Sequence, residues 1–160
     1  MKETEIDIFS IRLPACVESV KDKHNTLTIL IQETTGLGPE EEQIFSGASI
    51  GTAREIIPSS SDRLLKIYWE DYVGYSVLNE SYANVEEVNQ NPERKYKFAV
   101  ELLSSGWFTE YMKQAVFADN EYPGPLKYWE VIGNNHVVHI WSHIEPTVRL
   151  MKPTDSVTTH

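Results

Sequence analysis

Apolar and polar residues alternate with a period of two over much of this chain, and that alternation predicts strands. Thr26 to Gln32 is the cleanest case, with Leu27, Ile29 and Ile31 on one face. Arg63 to Leu78 is longer. Its odd positions, Leu65, Ile67, Trp69, Val73, Tyr75 and Val77, are apolar except for Asp71, so they form the core face. Its even positions, Lys66, Tyr68, Glu70, Tyr72, Gly74, Ser76 and Leu78, mix aromatic and polar groups and predict a half-exposed face. A straight strand of that length would span about 50 Å, too long for a chain of this size. It must therefore coil or break, and Gly74 is the natural place, with the two parts shared between sheets or wrapped round a small barrel.

The remaining segments follow the same logic. Ile6 and Ile8 share one parity, whereas Phe9, Ile11 and Leu13 share the other, the signature of a β-bulge in a first strand that Pro14 ends. A short strand around Val17 to Val20 leads into a turn at KDKHN. Pro39 followed by Glu40, Glu41 and Glu42 predicts a helix of about two turns, stopped at Gly47. Thr52 to Pro58 reads as a strand joined to the next by a hairpin-type loop, PSSSD. Residues 83–92 form a polar loop, and alternation over Lys95 to Leu102 predicts another strand. Trp107, Phe108, Tyr111, Met112 and Ala115 recur at helical spacing, so an amphipathic helix is expected near 105–116, capped by Ser104 or Ser105. Leu126 to Ile132 is a strand before a GNN turn, and Thr147 to Met151 adds a short edge strand.

These elements give an α+β fold, mainly antiparallel β-sheet. About six or seven strands are expected, as a sandwich or partly open barrel, with that one helix and one or two short ones. One domain is expected over 1–152, with a disordered tail over 153–160.

Composition narrows function by exclusion. With 24 acids against 14 Lys and Arg the net charge is -10, which repels nucleic acids and anionic membranes and favours a basic partner protein. The single cysteine, Cys16, rules out an internal disulfide, and no apolar run reaches the length of a signal peptide or membrane span. A cytoplasmic location is expected.

Three constellations could carry chemistry. HVVHIWSH holds His136, His139 and His143; the pattern favours a short helix, on which His139 and His143 could share a metal. On a strand the same pair would lie about 13 Å apart, too far for one ion. Asp71, an acid on an apolar face, would gain a raised pKa if buried and could serve as a functional acid; the plainer reading is a bulge that turns it outward. Tyr68, Glu70 and Tyr72, extended by Glu80 and Tyr82, form an aromatic floor with carboxylates suited to cations and basic peptides, unless the Trp107 helix packs over part of it. Cys16 and His24, eight residues apart, lack an orienting third group.

The stretch YWEDYVGYSVLNESYA resembles a segment of small uncharacterised bacterial proteins, in which acid-Asp-Tyr, Tyr-Ser-Val and Asn-Glu-Ser-Tyr occur in order. The likeness covers Trp69 to Tyr82, with a fainter echo in YWEVIGNNHVVHIWS. It implies a self-contained domain and no particular activity. The first expectation is thus a non-enzymatic, acidic interaction protein, with an immunity-like protein as one concrete version, that holds a basic partner through Tyr68, Glu70, Asp71, Tyr72, Tyr75 and Glu80, with no cofactor. The alternatives are a small-ligand pocket protein or enzyme centred on Asp71 and Tyr75, or a metal site at His136, His139 and His143.

Overall fold

The computed structural model describes residues 5–83, 97–119 and 121–151. Its strands are β1 Ala15–Lys23, β2 Thr26–Glu33, β3 Gly36–Phe45, β4 Ala48–Ile57, β5 Leu64–Trp69, β6 Gly74–Asn79, β7 Val100–Leu103, β8 Lys127–Ile132, β9 His136–Ser142 and β10 Thr147–Leu150. The helix α1 spans Trp107–Ala115. All pairings between these strands are antiparallel, so the β-dominant α+β class holds, with ten strands among the described residues rather than six or seven. They form a sheet ordered β1-β2-β5-β10, a second ordered β6-β9-β8-β7, and a two-stranded ribbon β3-β4.

Alternation explains how the two four-stranded sheets meet. Leu27, Ile29 and Ile31 of β2 and Leu65, Ile67 and Trp69 of β5 point inward from the first sheet. Trp129 and Val131 of β8 and Val138 and Ile140 of β9 answer from the second, and all are buried in one cluster. Trp69 and Trp129 make an edge-to-face contact across it, with centroids 6.3 Å apart. Burying each such aliphatic side chain contributes roughly 1.5–3 kcal/mol. The opposite face of the second sheet is covered by α1, where Phe108 and Met112 pack with Leu103, Tyr128 and Trp141.

The long segment breaks as its length requires. β5 ends at Trp69 in the first sheet and β6 begins at Gly74 in the second, with Glu70 to Val73 as a crossover. Gly74 leaves room for the end of Met112: a Cβ there would strike Met112 Cε and lie 2.9 Å from its Sδ. The inward parity persists across the break, because Tyr75 also packs on the shared core, but Val77 at the sheet edge is exposed and Val73 joins the cluster beneath α1.

Several expectations are corrected. The helix expected after Pro39 is the strand β3. Ser46 and Gly47, at φ 50° and 81°, make a two-residue turn of the kind that closes hairpins, and of the three carboxylates only Glu40 bonds across the ladder among the described residues. Glu40 meets Arg54 of β4 at 3.2 Å, and Pro39 sits where the register skips between Leu37 and Glu40. The PSSSD loop is not a hairpin, since β4 pairs with β3 and β5 with β2.

HVVHIWSH lies in strand β9 and the residues after it, not in a helix. One side of β9 faces the shared core and the other lies under α1, so burial on both faces erases the alternation that marks a strand. The parity switch near the start is a 3-10 turn, Ile8–Ser10, with Asp7 Oδ1 accepting from the Phe9 N–H at 3.0 Å; the bulge lies later, between Val17 and Ser19. Gly106, without a side-chain cap, precedes α1, so neither Ser104 nor Ser105 caps it. β2, β8 and β10 lie where the sequence put them, whereas β1 runs on through Lys23, into the segment expected to be a turn. The polar loop beyond Ala83, the start of the strand near 95–102 and the 153–160 tail fall outside the described residues.

Candidate functional site

The crossover between the sheets gathers the acids and tyrosines singled out in the sequence. Asp71 Oδ1 accepts the Tyr72 N–H at 2.8 Å, and the Asp71 carbonyl accepts from Ser142 Oγ at 2.9 Å. The Val73 N–H donates to the Trp141 carbonyl at 2.8 Å, fixing the crossover to the end of β9. So held, Tyr72 and Tyr75 meet edge to face with centroids 5.4 Å apart. Tyr72 Oη donates to Asp22 Oδ2 at 3.3 Å, a long hydrogen bond. Asp22 stands opposite Leu27, near the hairpin end of β1, and its carboxylate is exposed.

Burial pushes both tyrosine hydroxyls above their ordinary pKa, and the Asp22 charge and its hydrogen bonding push the same way. Both therefore stay protonated donors at neutral pH, while an anionic oxygen remains open to solvent beside two aromatic rings. Such a group can attract an ammonium or guanidinium.

The other predicted residues are divided by the break. Tyr68 is half-buried on β5 between Thr28 and Thr147, with Lys66 Nζ 5.5 Å from its ring centroid. Glu70 is exposed in the crossover next to the half-buried Asp71. Asp71 lies neither on the core face nor on a bulge, because the strand has already ended. Glu80 and Tyr82 lie on a 3-10 turn, Glu80–Tyr82, after β6, and both are exposed. Tyr72, expected on the wet face, packs against the shared core. The Trp107 helix does not cover Tyr68, because it sits on the second sheet.

The histidines are likewise separated. His136 begins β9 half-exposed, His139 is fully buried, and His143 follows the strand half-buried. Among the described residues no group of three or more His, Cys, Asp and Glu is placed to hold a metal ion. His139 instead belongs to a polar row that crosses the second sheet: Glu101 stands opposite Glu130, Glu130 opposite His139, and His139 opposite Ser76. Tyr128 Oη is 2.8 Å from His139 Nδ1, and Glu130 Oε1 is 3.7 Å from the same atom. The Trp107 and Phe108 rings pack on the imidazole. Its two central members, Glu130 and His139, are fully buried, and Glu101 and Ser76 at its ends are half-buried.

Sequence reading missed the strongest electrostatic centre. Glu33 is fully buried and receives Arg12 Nη2 at 2.6 Å and Arg63 Nη2 at 2.5 Å. Asp62 lies beside it, accepting from Thr35 Oγ1 at 2.6 Å and the Ser59 N–H at 2.8 Å. One signal was present: Glu33 continues the parity of Leu27, Ile29 and Ile31, an acid on the inward face. Cys16 is the reverse case. Burial, and then the Glu18 charge, push its thiol up, and His24 lies in the turn beyond the other end of β1, some 25 Å away along the strand.

Searches against family models, curated proteins and solved structures find no match to this chain. Among the described residues no helix is long and apolar enough to cross a membrane.

Proposed function

We propose that this chain is a non-enzymatic, acidic interaction protein that recognises cationic side chains of a basic protein partner. The supporting observation is the exposed Asp22 carboxylate at the tyrosine pair, where Tyr72 Oη donates at 3.3 Å and Tyr75 stands edge-on. Glu70 and Asp71 add negative charge in the same crossover, and the net charge of -10 draws a basic partner in. In this reading Tyr72 and Tyr75 supply ring faces and Asp22 the counter-charge. Tyr68 and Glu80 lie further along the segment and contribute charge or contact at its rim. We also read the two stacked sheets as one sandwich-like domain over 1–152. Kinship with the bacterial proteins that the Trp69–Tyr82 segment resembles is part of the proposal and assigns no activity.

The test is a titration of ¹⁵N-labelled protein with a hexa-arginine peptide. Amide shifts concentrated at Asp22 and Glu70 to Tyr75, and abolished by Asp22→Asn with Glu70→Lys while the rest of the spectrum is unchanged, would support the reading. Shifts spread over all acidic positions alike would overturn it.

A further inference from the structure

The ribbon of β3 and β4 does not belong to either four-stranded sheet, and among the described residues its two strands pair only with each other. Each strand has ten residues, so the ribbon is some 33 Å long. Apart from Gly36 and Gly38 at its base, every residue of it is exposed. A two-stranded ribbon of this kind is only marginally stable alone, and among the described residues no strand pairs with either of its outer edges. Nevertheless its tip is apolar: Ile44, Phe45 and Ile50 are 67%, 70% and 69% exposed. Burying these three on a partner would remove several hundred square ångströms of apolar surface from water.

The charge on the ribbon says what kind of surface would cover it. Glu40 is matched by Arg54, but Glu41, Glu42 and Glu55 form no ion pair among the described residues. A second copy would set these acids against its own, whereas a segment bearing Lys and Arg among apolar residues matches both features at once. We infer that the β3-β4 ribbon is a docking arm for a basic, apolar segment of another protein. The segment lies along an open edge as an added strand, covers Ile44, Phe45 and Ile50, and pairs its cations with Glu41, Glu42 and Glu55. This surface is separate from the Asp22 cluster, and either proposal can stand without the other.

The probe is a fluorescent nine-residue peptide of alternating Lys and Val, with alternating Glu and Val as the control, followed by anisotropy. The variants are Ile44→Ser with Phe45→Ser and, separately, Glu41→Lys with Glu42→Lys. All four positions are exposed, and far-ultraviolet circular dichroism and the thermal midpoint check the fold. Each pair of substitutions is expected to weaken binding of the Lys-Val peptide at least tenfold, while Glu110→Gln, at an exposed acid of α1 outside both surfaces, leaves it within twofold. Three results would overturn the inference: binding unchanged by either ribbon variant, equal binding of the Glu-Val peptide, or light scattering that shows a dimer of the parent which Ile44→Ser with Phe45→Ser makes monomeric. If Asp22→Asn alone abolishes binding, the peptide reads the Asp22 cluster, and the ribbon proposal fails while the proposed function survives.

Discussion

Arg63 grips Glu33 with two nitrogens: Nη2 lies 2.5 Å from Oε1 and Nε 3.1 Å from Oε2. The backbone N–H groups of Arg63 and Arg12 add bonds at 3.2 and 3.0 Å, so one buried carboxylate ties the end of β2 to the segments before β1 and β5. Forked pairing of this kind is among the stronger polar contacts in proteins.

That arrangement has a pH signature. Burial alone would raise the Glu33 carboxyl, but hydrogen bonds from Arg63 and then Arg12 outweigh it and hold the group down at about 2. A pKa depressed on folding gives stability that is full above the unfolded value and is lost as pH falls through the folded one. Glu33→Gln is therefore expected to be about 3 kcal/mol less stable than the parent at pH 7, with the gap closing between about pH 4.5 and pH 2. Urea midpoints at four pH values would decide it. A gap of constant size would show that the charge of Glu33 is not what stabilises the junction.

Gly74 and Met112 form a second coupled pair. Because only the mobile tip of Met112 blocks a Cβ at position 74, Gly74→Ala is expected to cost about 1 kcal/mol, and Gly74→Val about 2–3 kcal/mol. In a Met112→Ala background, Gly74→Ala should cost far less, and a double-mutant cycle in urea measures the difference. Strict additivity would mean that the residues do not compete for space.

What the sequence made legible was whatever one-sided burial wrote into alternation, as in β2 and the broken central segment; β8, buried on both faces, was legible only as an apolar run between a loop and the GNN turn. β9 was misread as helix because Val137 and Trp141 are as deeply buried as Val138 and Ile140. β3 was misread because Pro39 and three glutamates satisfy helix-start rules as well as they satisfy an exposed ribbon, and only the hairpin turn at Ser46 and Gly47 separates the two. Tyr72, Tyr75 and the crossover acids were visible as candidates, but Asp22 was not. It lies fifty residues before Tyr72, and only the register of β1 on β2 on β5 brings it there.

The ribbon turn offers a third measurement. Gly47 has φ 81° and open space around it, so Gly47→Ala introduces backbone strain without a clash, about 1 kcal/mol. Hydrogen exchange of β3 and β4 amides is expected to accelerate roughly fivefold, while the global melting midpoint barely moves. A midpoint that falls by several degrees would instead show that the ribbon unfolds together with the two sheets.

The interleaved strand order also shapes how the polypeptide is born. β1, β2 and β5 can zip together as soon as Trp69 leaves the ribosome, yet the residues that cover their greasy side, in β8 and β9, come roughly 60–70 positions later. At ordinary translation rates that is several seconds, during which Leu27, Ile29, Ile31, Leu65 and Ile67 sit on a naked half-structure. Nascent chains of this protein thus pass through a stage in which they are natural clients for a holding chaperone.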